Sequence, residues 1–185
     1  RRIAHSVWFA AAGLVLAIAS GLAAFALGIE AQPLLSFISP AAVSYALALL
    51  VALLGLVISK FTGNYLAGDY GQVRFTVFLH LTLAAVATVA ISNNLFVLLL
   101  AWLSLSLAMN ELLLFYQTRP RAVLAAHKKF LFARVAELSL LVAFVILYQH
   151  HGTAQISTIM AAYPAELGAS EQIAMVLIAL AAIIK

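Results

Sequence analysis

Long apolar windows separated by short polar or glycine-bearing breaks set the organisation of this chain. They fall at Val7–Ile29, Pro40–Ser59, Phe75–Ser92, Leu95–Tyr116, Phe130–Tyr148 and Ile173–Lys185. Most run about 18–22 residues with few or no charges, enough at about 1.5 Å rise per residue to cross a hydrocarbon core about 30 Å thick. Helices are predicted rather than barrel strands, because barrel strands alternate polar and apolar positions. The first window follows Arg1, Arg2 and His5 and imitates a signal peptide, but it is too long and lacks a small-residue cleavage site, so a retained span is expected. Because the chain begins without Met and its last window is still apolar at Lys185, residues 1–185 are expected to be one transmembrane domain cut from a larger one. The fold class is therefore all-α, a truncated polytopic transmembrane helix bundle.

The breaks have their own chemistry. Pro33 lies between the first two windows and Pro40 suits the first turn of the second helix. Gly63, Gly68 and Gly71 punctuate Lys60–Arg74, and Asn93-Asn94 forces a tight reversal. The long segment Gln149–Gln172 is semi-polar and is expected to hold a short interfacial helix near Ile156–Tyr163.

Composition confirms the solvent. Hydrophobic residues make up 66% and charged residues 9% of the 185, and the mean hydropathy is +1.13. A soluble domain carries about 25% charge, so this is an integral membrane protein. Having no cysteine excludes disulfides, thiolate metal sites and iron–sulfur clusters. Phosphate-binding loops, nucleophile elbows and dinucleotide fingerprints are absent, which argues against soluble catalysis and for a transporter subunit.

Basic residues then orient the chain. Arg1 and Arg2, Lys60 and Arg74, and Arg119, Arg121, Lys128 and Lys129 occupy breaks of one parity, while the opposite breaks carry no Lys or Arg. Lys and Arg are retained in the cytoplasm, so the N-terminal end is expected inside and Glu30, Asn93-Asn94 and Gln149–Gln172 outside.

Against that frame, Glu111, Arg134 and Glu137 are anomalous. Each charge near a bilayer centre costs about 2.5–3.5 kcal/mol, so such groups pair, face water or carry ions. Glu111 and Arg134 are expected at one level in the cytoplasmic half, with Glu137 about one turn deeper and on a neighbouring face. His80 and Lys185 are expected at similar depth, so a single polar layer collects all five residues as candidates for a proton or ion pathway. The competing reading is an ion-pair network that only fastens helices. His127, Lys128 and Lys129 are candidates for a cytoplasmic entry or a partner contact, against a plain role as interfacial and topogenic groups. Trp102 and Tyr116 fit packing and an aromatic belt as well as substrate contact. His150-His151 is weak evidence for a metal, because no acidic or thiol ligand set is near them in sequence. No metal or cofactor is expected on this chain.

Several motifs, in order, resemble the proton-translocating antiporter-like family. They are Asn64-Tyr65-Leu66-Ala67-Gly68-Asp69, Arg74-Phe75, Asn94-Leu95, Ala101-Trp102, Leu112-Leu113-Leu114-Phe115-Tyr116, and Ala125-Ala126-His127-Lys128-Lys129-Phe130 followed by Arg134-Val135-Ala136-Glu137. That family includes the large membrane subunits of respiratory NADH dehydrogenase and of multisubunit cation/proton antiporters. The resemblance covers Asn64 to Lys185 and implies that Arg134, Glu137 and Lys185 lie on a proton path. Three departures stand out. Where pumping members place a glutamate directly after the tryptophan, this chain has Leu103. Their Val-Gly-Asp after the arginine is Val135-Ala136-Glu137 here, and their Ala-x-Lys-Ala-Phe is His127-Lys128-Lys129-Phe130.

The missing glutamate and the basic run Arg119 to Phe130 resemble in particular the membrane subunit of bacterial two-component inorganic-carbon transporters. That resemblance implies a multi-pass subunit of the bacterial cytoplasmic membrane that passes protons or another cation. The flow would energise a peripheral, zinc-dependent carbonic-anhydrase-like partner, with the zinc on that partner. Expected partners are thus membrane lipid and that subunit, with no nucleic acid. Glu111, two turns and about 80° around the helix from Leu103, is expected to replace the missing acid. The alternatives are a proton-pumping subunit of NADH dehydrogenase or of a cation/proton antiporter, and a non-conducting membrane scaffold.

Overall fold

Each long apolar window in the described residues has wound into a helix, as an apolar segment must when lipid offers its backbone no hydrogen bonds. The computed structural model describes residues 37–38, 41–115, 120–162 and 168–185. The predicted first span Val7–Ile29, its flanking Arg1, Arg2 and Glu30, and the positions Tyr116, Gln117 and Arg119 lie outside them. The helices are α1 (Ala42–Tyr65), α2 (Gln72–Ile91), α3 (Leu95–Leu113), α4 (Pro120–His151), α5 (Ile156–Ala161) and α6 (Ala169–Ile184). Four of them, over Val43–Tyr65, Gln72–Ile91, Leu95–Leu113 and Val123–His151, are long and apolar enough to cross a membrane, and α6 is a shorter apolar helix. Among the described residues there is no β-strand beyond isolated bridges, Ile38 with Ser92 and Asn94 with Gln155. The chain is a multi-pass α-helical membrane protein.

Packing follows chain order. Helix α1 lies against α2, α2 against α3, α3 against α4, and α4 against α6. Polar side chains along the way bond within their own helix: the hydroxyls of Thr76, Thr82 and Thr88 donate to the carbonyls of Gln72, Phe78 and Ala84 at 2.7–2.8 Å. Outward faces carry large apolar side chains such as Val43, Leu131 and Ile183. Such a surface suits lipid and not water.

Helix α4 is longer than the hydropathy predicts. It starts at Pro120, not near Phe130, and its 32 residues extend about 48 Å. The basic run was expected to break the chain, yet proline at the first helical position and Ala122, Ala125 and Ala126 favour a helix. Arg121, His127 and Lys128 are exposed and Ala126 is buried, so the charges occupy the free face.

The two ends of the bundle are built differently. At the Asn93 end, Asn94 Oδ1 caps α3 by accepting from the amides of Phe96 and Val97 at 2.9 and 3.3 Å. The Asn93 side chain holds α5, donating to Ser157 Oγ and accepting from the Ser157 amide, both at 2.9 Å. At the basic end, α1 stops at a turn in which Gly68 takes φ +89°, a region that side chains with a Cβ avoid. A Cβ on Gly71 would lie 2.6 Å from the Phe115 ring, so a larger residue there would displace that ring from the loop.

Candidate functional site

On α4 the buried positions Ala133, Ala136, Glu137, Leu140, Ala143, Phe144 and Leu147 recur at intervals of three and four. That spacing defines the face a helix turns toward its neighbours. Glu137 is therefore a carboxylate in a core stripe. It is only 4% exposed, and it is the central residue of the apolar stretch Val123–His151.

Its counter-charge comes from the preceding turn. Arg134 Nη2 donates to Glu137 Oε1 at 3.0 Å and stands 2.7 Å from Oε2. The same nitrogen donates to Ser106 Oγ of α3 at 3.3 Å, and the guanidinium sits 4.8 Å from the centre of the Phe130 ring. The pair thereby ties α4 to α3. Ser106 is one turn from Leu103 on α3, and Leu103 packs against the apolar core.

Lys185 closes the group from α6. Its ammonium lies 4.6 Å from the centre of the Trp102 ring, donates to the Trp102 carbonyl at 3.4 Å, and is within electrostatic reach of Glu137, Lys129 and Arg134. Helices α4 and α6 thus bring Arg134, Glu137 and Lys185 into one charged group, with α3 contributing Ser106 and the Trp102 carbonyl. Beside it, an apolar cleft of about 590 Å³ runs between α3, α4, α5 and α6, lined by Trp102, Leu140, Phe144, Ile159, Met175 and Ile178 among others.

The other expected members of the polar layer are elsewhere. Glu111 pairs with Arg74 of α2, Nη2 to Oε2 at 2.5 Å, and the two side chains are 33% and 55% exposed. It faces α2, not the α4 side of α3, so Arg134 takes Glu137 instead. His80 shares a site with α1: its Nδ1 lies 2.7 Å from the Thr76 carbonyl and its Nε2 3.4 Å from Ser59 Oγ. A carbonyl only accepts, so Nδ1 carries a proton and donates it to Thr76. His127 and Lys128 are exposed, and Lys129 is half-buried toward the charged group. The five candidates divide into a charged group on α4 and α6, in which Glu137 is buried and Lys185 exposed, and two pairs on α1, α2 and α3.

One buried acid escaped the sequence reading. Glu171, in the first turn of α6, is 1% exposed. Its Oε2 accepts from the Gly168 amide at 3.0 Å, and its Oε1 lies 3.3 Å from His151 Nε2 and 3.5 Å from His150 Nε2. The paired histidines thus have an acidic neighbour after all, brought to them by the return of the chain from α5 to α6. The only signal was helical spacing, Glu171 preceding Ala174, Ile178 and Ala181 on one face. Among the described residues no group of His, Cys, Asp and Glu is arranged to hold a metal ion.

Comparison with known proteins matches residues 92–185 to the family described as NADH:quinone oxidoreductase/Mrp antiporter, TM. The match contains Arg134, Glu137, Glu171 and Lys185. The chain is 45% identical over 139 residues to a probable inorganic carbon transporter subunit DabB of Hydrogenovibrio crunogenus, covering 74% of this chain and 27% of that protein. It is 39% identical over 141 residues to the probable inorganic carbon transporter subunit DabB2 of Halothiobacillus neapolitanus, covering 75% and 26%. With NADH-quinone oxidoreductase subunit L of Escherichia coli it shares 32% identity over 99 residues, 54% of this chain and 16% of that one. The chain spans about a quarter of the length of the DabB relatives.

Proposed function

Since the chain belongs to the NADH:quinone oxidoreductase/Mrp antiporter transmembrane family, we propose that it is part of the membrane subunit of an inorganic-carbon uptake complex of a bacterial cytoplasmic membrane. The subunit translocates protons, or another cation, and the flow energises a peripheral carbonic-anhydrase-like partner. That partner carries the zinc and traps carbon dioxide as bicarbonate. The basic end, with Arg74, Arg121, His127 and Lys128, faces the cytoplasm.

One observation carries this reading: a carboxylate 4% exposed at the centre of α4, held by Arg134 and faced by Lys185. A bundle that needed only packing is served as well or better by apolar side chains of like volume, because desolvating two charges offsets much of their attraction. Retaining an acid, a guanidinium and an ammonium at one level suits a site where a proton is taken up and released. Glu137 holds the mobile proton, Arg134 sets its orientation through two contacts, and Lys185 and Lys129 set the local field. Glu111 and Arg74 stand at the cytoplasmic rim of the same subunit, His80 lies further along α2 against Ser59 of α1, and His127, Lys128 and Lys129 line the approach.

The 45% and 39% identities to inorganic carbon transporter subunits favour carbon uptake over respiration. Leu103, lacking the acid of the pumping members, favours it too. A respiratory NADH dehydrogenase subunit is the second reading, supported by the 32% identity to subunit L. The test is genetic. In a bacterium whose growth in air depends on the full-length complex, Glu137→Gln should abolish growth that added carbon dioxide restores, with the subunit still present in the membrane. Growth in air at the normal rate would remove Glu137 from the path.

A further inference from the structure

Helices α4 and α6 carry polar groups at both ends of their shared seam, spaced two heptads apart on each helix, residues 137 to 151 and 171 to 185. Glu137 and Lys185 close one end, and His151 and Glu171 close the other. Between them the seam holds Leu140, Ala143, Phe144, Leu147, Ala174 and Ala181. At about 1.5 Å per residue the two polar ends are about 21 Å apart. The mechanism proposed above uses only the inner end.

The outer end is a built cluster. Glu171 is buried, yet only its Oε2 accepts a hydrogen bond, from Gly168; its Oε1 has no hydrogen-bond partner and faces two imidazole nitrogens at 3.3 and 3.5 Å. Two ring nitrogens converge on one carboxylate oxygen without repulsion only when a ring presents N–H to it or the carboxyl itself is protonated. Imidazole and carboxyl can each gain and lose a proton, so the cluster has the groups that a proton port requires. Exposure of the side chains grades inward, from 49% at His150 to 10% at His151 and 1% at Glu171. The groups that face Glu171 are His150 and His151 from α4 and the amides of the first turn of α6; Tyr148 lies one turn away, packed on Phe96 of α3. Among the described residues at this end, α3 and α5 contribute no titratable side chain, and no Lys, Arg or Asp is present.

We propose that His150, His151 and Glu171 form the port through which the subunit exchanges protons with the outer water. His150 takes a proton at the surface and passes it through His151 to the buried Glu171 carboxylate. No bond other than N–H and O–H forms or breaks, and each group returns to its starting state when Glu171 gives up the proton. The proposal rests on the translocation reading and on its orientation.

The experiment uses the full-length subunit with its partners in liposomes, an internal pH dye, and a range of external pH. Wild-type flux should rise as the outside is acidified and then saturate as the port fills. Glu171→Gln should lose most of the flux and the acid-dependent rise. His150→Gln changes an exposed ring that the fold does not need, and it should shift the external pH at which flux saturates. Infrared titration of the same samples should reveal a carboxylic-acid carbonyl band that appears on acidification and is missing in Glu171→Gln. If Glu171→Gln keeps both rise and amplitude, the port is overturned while the translocation reading stands. If Glu171→Gln does not assemble, an unaltered pH profile in His150→Gln overturns it equally. Wild-type liposomes that move no protons overturn the translocation reading itself, and the port with it.

Discussion

Arg74 of α2 and Glu111 of α3 meet at 2.5 Å near the basic end of the bundle, on the opposite side of α3 from Arg134. The pair is partly exposed, and exposed pairs contribute about 0–1 kcal/mol. Glu111→Gln should therefore leave assembly unchanged and stability within about 1 kcal/mol, and a double-mutant cycle with Arg74→Gln should give a coupling of that size. Proton flux should fall only in part, because the rim is open to water. Complete loss of flux in Glu111→Gln would restore it as the replacement for the family's missing acid.

Arg134 has a different standing, because its partner is buried. Removing the guanidinium strands the Glu137 carboxylate, and breaking a buried pair costs about 3–5 kcal/mol. Arg134→Leu should lower the amount of folded subunit in the membrane, whereas the double variant Arg134→Leu, Glu137→Leu should recover it. Recovery of abundance without recovery of flux, measured together, separates the packing contribution of the pair from its transport role. Recovery of both would mean the pair is structural only.

Leu103 packs against the core one turn from Ser106, the α3 contact of Arg134. An acid introduced there faces the α4 seam. In a Glu137→Gln background, Leu103→Glu should restore part of the flux by giving Arg134 a new counter-charge. In a Glu111→Gln background it should add nothing, since Glu111 looks toward α2. The reverse pattern would place Glu111 and residue 103 on one path.

Orientation can be read chemically: residues 1–185 contain no cysteine, and any others in the full-length subunit are replaced first. Single cysteines at Tyr70, fully exposed in the α1–α2 loop, and at Gln149 near the other end should label from opposite sides of intact cells. The Gln149 position should react with an impermeant reagent from outside. Reaction of Tyr70→Cys from outside would invert the proposed topology and move the histidine cluster to the cytoplasm.

Hydropathy made the helices legible because lipid demands continuous apolar windows, and Ala42–Tyr65, Gln72–Ile91 and Leu95–Leu113 overlap their predicted windows. The start of α4 was hidden because charge was taken as a break, although Pro120 and the alanines after it favour a helix with its charges on one face. The pairing Arg134–Glu137 was visible as a spacing of three on one helix. The partner of Glu111 was not, since hydropathy does not say which neighbour each side of α3 meets. Glu171 was overlooked because it lies beside a semi-polar loop; its burial arises from the fold returning α6 onto the end of α4, a long-range contact with His150 and His151.

The central claim is that a proton crosses this subunit by way of the Glu137 carboxylate. Its most direct test is proton flux into liposomes carrying the full-length subunit with its partners, driven by an imposed pH difference and compared between wild type and Glu137→Gln at equal amounts of assembled protein. The account predicts flux in the wild type and a rate in Glu137→Gln indistinguishable from protein-free liposomes. Equal flux in the two would contradict it.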